Sequence, residues 1–180
     1  MSIRAGILAV LTLGEAYGLQ IHSELEERTG RRGRINVGQI YSTLDRLSLA
    51  GLVRASGATD DGLPLYGLTD DGRREAFEWL AEAPVENESS WADMVFKVQL
   101  ASSLESEGTP DLLGRYRNGW LRMLADTSSH PAGLARRRLA EAALAWLDDL
   151  AALPGGVESL VVPLRNERPR RGRRPASTPE

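Results

Sequence analysis

The chain has 180 residues, 42% hydrophobic and 26% charged, the balance of a soluble globular protein. With no cysteine it has no disulfide framework and no thiolate metal site. No apolar run approaches the roughly 20 residues of a membrane span, and Met1–Arg4 does not open a secretory signal, so a cytoplasmic location is expected.

The net charge of −3 looks unfavourable for a polyanionic partner until it is divided along the chain. Residues 1–68 are neutral, with 7 Arg against 7 acidic groups. Residues 69–164 set 9 Lys and Arg against 16 acidic groups, and residues 165–180 set 6 Arg against 2 Glu. Attraction for phosphates depends on a local patch, not on the total.

Residues 3–13 are apolar almost all round, which predicts a short helix buried in a core or in a subunit interface. Gly14 to Gly18 reads as a glycine-bounded turn. Leu19 to Thr29 mixes Leu19, Ile21 and Leu25 with Glu24, Glu26, Glu27 and Arg28, an amphipathic helix stopped at Gly30. The loop Arg31-Arg32-Gly33-Arg34 comes next.

Asn36 is a good helix cap, and Gln39 three positions on would complete a capping box. Ile40, Leu44 and Leu47 fall on one stripe, and Gly51 supplies the stop. Strands near Leu52–Ser56 and Leu65–Leu68 bracket a turn at Asp60-Asp61-Gly62. Thr69, with Asp70 and Asp71 in the first turn, caps a helix ending before Pro84. Further helices are expected near 91–105, 110–128 and 132–153.

The predicted fold is mainly α. A winged helix-turn-helix with a two-stranded wing spans 1–84, and a helical dimerisation and effector domain spans 85–160. A disordered basic tail spans 161–180.

With the stripe turned inward, rotation of roughly 100° per residue sends Gln39, Ser42, Thr43 and Arg46 outward. Glutamine and arginine match adenine and guanine edges in a major groove, and hydroxyls match phosphates. A plain solvated helix face explains the same residues, and a capping box would occupy the Gln39 amide. Tyr41 lies between the two faces. Arg31, Arg32 and Arg34 stand where a docked duplex backbone would pass, with Arg54 in the wing a weaker candidate of the same kind. An exposed basic loop is the alternative.

Several motifs resemble the PadR family of transcriptional regulators. They are the early apolar helix, Tyr17-Gly18 with Ile21, and Gly38–Leu44 (GQIYSTL). Leu47, Gly51-Leu52-Val53 and Tyr66-x-Leu68-Thr69-x-x-Gly72-Arg73 continue the match to about residue 83. The resemblance implies a homodimeric repressor on a palindromic operator, released by a small, commonly aromatic effector. It also carries Gln39, Tyr41, Ser42, Thr43 and Arg46 over as DNA contacts. Two departures stand out. Asn36-Val37 replaces the usual Ser-Pro, keeping the cap, and the wing lacks basic residues before Tyr66 and has an acidic tip.

Ile3–Leu13 and the last long helix carry more apolar face than one small domain covers, so both are expected at the dimer interface. Trp91, Phe96, Trp120 and Trp146, with Trp79 nearby, are candidate walls of an effector cavity between the halves, or simply core. No metal or cofactor is called for. An enzyme is disfavoured: there is no cysteine nucleophile, no P-loop and no nucleophile elbow, and the only histidines are His22 and His130. The runner-up is a winged-helix module that binds a protein partner without sequence-specific DNA binding.

Overall fold

The computed structural model describes residues 2–87, 89–105, 109–125 and 130–165, with the side chains of 109 and 110 excepted. The element order is α1 (Ile3–Val10), β1 (Ala16–Tyr17), α2 (Gly18–Arg28), α3 (Val37–Leu49), β2 (Val53–Ala58), β3 (Pro64–Leu68) and α4 (Asp70–Ala81). It continues with α5 (Ser90–Ser102), α6 (Thr109–Leu124) and α7 (Pro131–Ala151), then a 3₁₀ turn at Val157–Leu160.

The wing hairpin forms where predicted, but the sheet has three strands in the order β1-β3-β2. The stretch read as a turn before α2 contains β1, which pairs antiparallel with β3 through Ala16–Tyr66 and Tyr17–Leu65. In β2 the register slips between Ala55 and Gly57, so Ser56 is an extra residue, a bulge that re-aims the wing. At the wing tip the Thr59 hydroxyl donates to Asp61 Oδ1 at 2.7 Å and accepts from the Leu63 amide at 3.0 Å. Gly62, at φ +81°, takes the left-handed turn position.

Helix α1 is central. Every residue from Ile3 to Val10 except Arg4 is buried, walled by α2, α3, α4 and α5 of the same chain. This corrects the expectation that Ile3–Leu13 supplies a dimer face: its apolar surface is consumed inside one subunit. Gly6 allows the close crossing, since a Cβ there would lie 3.0 Å from Leu25 and 3.1 Å from Phe96. One core therefore runs without a break from the winged helix into the C-terminal helices, through Leu8, Ile21, Leu44, Phe96, Leu100 and Trp120.

The start of the predicted tail is ordered packing, a second correction. Residues 161–165 lie along α2, with the Val162 amide donating to the Ser103 carbonyl at 3.1 Å. The remainder of that tail, 166–180, lies outside the described residues.

Candidate nucleic-acid interface

Helix α3 starts where the Asn36 side chain accepts the Gly38 amide at 2.8 Å. Ile40, Leu44 and Leu47 are at most 1% exposed, and burial of each contributes about 1.5–3 kcal/mol, enough to fix the helix's rotation. Gln39, Ser42 and Arg46 then face solvent. The Gln39 main-chain amide donates to the Asn36 carbonyl at 3.0 Å, but no hydrogen bond joins its side-chain amide to another described residue, so the capping box does not form. The Ser42 hydroxyl donates to the Gln39 carbonyl at 3.2 Å.

Thr43 departs from the outward set. It is only 3% exposed, because it sits on the flank of the stripe, where the core is wider than three residues suggest. Its hydroxyl accepts from Arg46 Nη2 at 3.1 Å, while Arg46 Nε donates to the Ser42 carbonyl at 3.2 Å. Thr43 thus orients the arginine and is not itself presented. Tyr41 is 41% exposed, with its ring packed on Gly18 at the start of α2. Burial, reinforced by the neighbouring Asp45 carboxylate and Tyr41, pushes the Tyr66 phenol above its ordinary range.

The basic loop splits three ways. The Arg31 guanidinium stacks over Phe96, 5.4 Å from the ring centroid, and so ties the loop to α5. Arg32 forms a forked pair with Glu27, whose carboxyl it holds below the usual range. Arg34 is exposed and unpaired among the described residues. The loop itself is pinned from α2: His22 Nε2 is 2.8 Å from the Ile35 carbonyl, and Glu26 accepts the Gly33 amide at 2.6 Å. These two anchors were not foreseen; the i, i+4 spacing of His22 and Glu26 was their only trace. Arg54 lies 3.7 Å from Glu15, so the wing's one arginine is partly neutralised.

The expected effector rings do not converge. Trp120 is fully buried, its Nε1 donating to the Met94 sulfur at 2.9 Å, and serves the core. Trp91 and Trp146 meet edge to face at 5.6 Å, joining α5 to α7. Only Phe96 of the four lines a cavity of about 240 Å³, together with Trp79, Lys97 and Tyr116. Lys97 and Tyr116 were not anticipated. Lys97 donates to the Trp79 and Glu82 carbonyls at 2.5 and 2.7 Å, with its ammonium 4.4 Å from the Trp79 ring centroid. Burial lowers its pKa to about 8, against the opposing pull of Glu82 and Asp93. Burial raises the Tyr116 phenol well above its ordinary range.

Residues 7–78 match the model of the transcriptional regulator PadR-like family. That span runs from within α1 to the last turns of α4, and so takes in α3, the loop before it and the wing. The winged helix of this chain is thus similar to that of the PadR-like family.

A PadR-like relative, the negative transcriptional regulator PadR of Bacillus subtilis (strain 168), is 29% identical over 114 residues, 61% of this chain. The match spans 62% of the length of that curated relative. Among solved structures, Bacillus subtilis PadR in complex with operator DNA is 22% identical. It covers 84% of this chain and 97% of its own, with a TM-score of 0.42. The same protein in complex with p-coumaric acid gives the same identity and coverage, with a TM-score of 0.41. Among the described residues no helix is long and apolar enough to cross a membrane, and no cluster of His, Asp and Glu could hold a metal ion.

Proposed function

We propose that this PadR-like chain is a cytoplasmic repressor that binds a palindromic operator as a homodimer, each subunit laying α3 into a major groove. One observation carries the reading: the strip Gln39–Ser42–Arg46 is exposed while Ile40, Leu44 and Leu47, on the same helix, are sealed. Gln39 and Arg46 read base edges, and Ser42, Tyr41 and Arg34 contact phosphates. The wing, with an acidic tip and a paired Arg54, contributes little. A two-fold pair of such helices spans about one duplex turn, roughly 34 Å. Since α1 is internal, the dimer surface is assigned to α6 and α7, where Leu121 and Leu134 are 43% and 50% exposed.

The test is a mobility shift with the DNA upstream of the chain's own gene, repeated with Gln39→Ala and Arg46→Ala. Loss of the sequence-specific shift in both variants supports operator reading. Absence of a shift with the wild-type chain overturns it in favour of a protein partner. A monomer mass by light scattering at micromolar concentration removes the dimer.

Release by a small aromatic acid is assigned to the cavity of Trp79, Phe96, Tyr116 and Lys97, where the Lys97 ammonium, held by the Trp79 and Glu82 carbonyls, has to outweigh Glu82 and Asp93, which line the same cavity. Titration with p-coumaric acid should quench tryptophan emission in the wild type and leave Lys97→Met unchanged. A flat titration of the wild type across planar aromatic acids would remove the effector.

A further inference from the structure

The outward face of α3 carries a charged group outside the strip Gln39–Ser42–Arg46. Ile40, Leu44 and Leu47 are sealed, and the direction opposite their mean bearing is the centre of the exposed face. At roughly 100° per residue, Ser42 lies about 15° from that centre, Asp45 and Arg46 about 50° to either side, and Gln39 about 75°. Asp45 is exposed and as central to this face as Arg46. A duplex that meets one meets the other.

The Asp45 carboxylate is not neutralised. Exposed charges on a helix find partners three and four positions away, and for Asp45 these are Tyr41, Ser42, Ser48 and Leu49, none of them a cation. Arg46 is adjacent but turned back on the helix, its Nε on the Ser42 carbonyl at 3.2 Å and its Nη2 on the Thr43 hydroxyl at 3.1 Å. Among the described residues no hydrogen bond or ion pair engages Asp45. Its charge is felt instead by the Tyr66 phenol, which it helps to push above the ordinary range. Other carboxylates of the winged helix do find arginines: Glu27 takes Arg32, and Glu75 takes Arg4.

A bare carboxylate on a surface offered to a polyanion costs affinity unless a donor meets it. In the major groove the donors are the exocyclic amines of cytosine and adenine, whereas guanine O6 and N7 and thymine O4 are acceptors that repel it. Adenine sets its N7 acceptor beside its amine, a pattern that suits an amide such as that of Gln39, which both donates and accepts. Cytosine presents its amine with no acceptor of its own beside it. It therefore fits a group that only accepts.

We propose that Asp45 is a specificity-determining residue of α3, its carboxylate accepting a hydrogen bond from the N4 amine of a cytosine in the major groove. The proposal rests on the DNA-binding reading of α3. Asp45 selects largely by exclusion: the charge that accepts cytosine turns away duplexes that place an acceptor there, and it weakens binding to unrelated DNA.

The experiment uses the full chain, Asp45→Asn and Asp45→Ala, each selecting duplexes from a randomised pool, followed by fluorescence anisotropy on the selected site with single base-pair changes. The wild type should enrich cytosine at one position of each half-site. Both variants should lose that preference and keep the others. Replacing that C·G pair by T·A, which puts an acceptor where the amine stood, should weaken the wild type on the order of tenfold and the variants by about twofold at most. Both variants should bind a scrambled duplex several-fold more tightly. Their melting temperatures should stay within about 2 °C of the wild type, because the side chain is exposed and unpaired. An unchanged base preference in both variants overturns the proposal. So does a uniform tightening on every duplex, which makes Asp45 a general repellent and not a reader. Failure of the wild type to bind any duplex is a distinct result, and removes the DNA reading together with the role of Asp45.

Discussion

The ring of Tyr41 rests directly on Gly18: a Cβ at residue 18 would lie 2.5 Å from the tyrosine Cε1. The start of α2 and the exposed edge of α3 are thereby locked together with no side chain between them. Gly18→Ala should swing the half-exposed ring outward, because the colliding atoms belong to a side chain free to rotate. Operator affinity should fall several-fold, on the order of 1 kcal/mol. The melting temperature should move little, since alanine favours the helix by about as much as the displaced contact costs. Anisotropy and thermal melts of the same sample check both halves. A large loss of stability would show that Tyr41 is a core residue.

Gly72 poses the opposite case. A Cβ there would sit 1.9 Å from the Leu52 carbonyl oxygen, and backbone cannot rotate away. The clash falls where the Thr69 hydroxyl caps α4 by accepting the Gly72 amide at 3.1 Å and donating to the Gly51 carbonyl at 2.7 Å. Gly72→Ala should destabilise the fold by about 2–4 kcal/mol, lowering the melting temperature by roughly 5–10 °C. A urea titration gives the same quantity independently.

Thr43 is expected to act on DNA only through Arg46. Thr43→Val removes the acceptor of the Arg46 Nη2 bond while nearly keeping shape, so operator affinity should drop several-fold. In the background of Arg46→Ala the same change should cost less than about 0.5 kcal/mol. Additive losses in this double-mutant cycle would mean that Thr43 makes a DNA contact of its own.

Lys97 should leave a signature in the pH dependence of stability. Its pKa is about 8 folded and 10.5 as an unperturbed lysine, so between these values the unfolded chain binds the extra proton. Stability therefore rises with pH through that window, on the order of 2–3 kcal/mol if fully developed. Above about pH 10 the trend is opposed by Tyr66 and Tyr116, whose raised pKa values make the folded chain the one that keeps its protons. Lys97→Met lowers stability overall by leaving two carbonyls unpaired, yet it should abolish the rise between pH 8 and 10. Urea midpoints across that range decide the matter, and an identical rise in the variant would refute it.

Local signals made most of the winged helix legible. The Asn36 and Thr69 caps, the Ile40–Leu44–Leu47 stripe and the turn at Gly62 each depend on residues a few positions apart, and each stands where the sequence puts it. What stayed hidden depends on partners distant in the chain. Strand β1 has two residues, too few for a periodicity, and exists because β3 offers an edge to it. Arg31 and Arg32 are indistinguishable from Arg34 until Phe96 and Glu27 are placed beside two of them. An all-round apolar α1 demands neighbours, but its composition does not say whether they come from the same subunit. The aromatic residues of the second half are similar: hydrophobic content identifies them as packing material, and only the crossing of α4, α5 and α6 decides which rings border a cavity.

Phe96 nests against Gly6 and so belongs to the interior of the winged helix as much as to the helices that come after it. A fragment cut at residue 84 would carry an unfilled socket on α1, wetted and prone to stick to its like. Tests of the proposed DNA binding are best made on the intact chain, because the winged helix borrows its keystone from the half that would have been discarded.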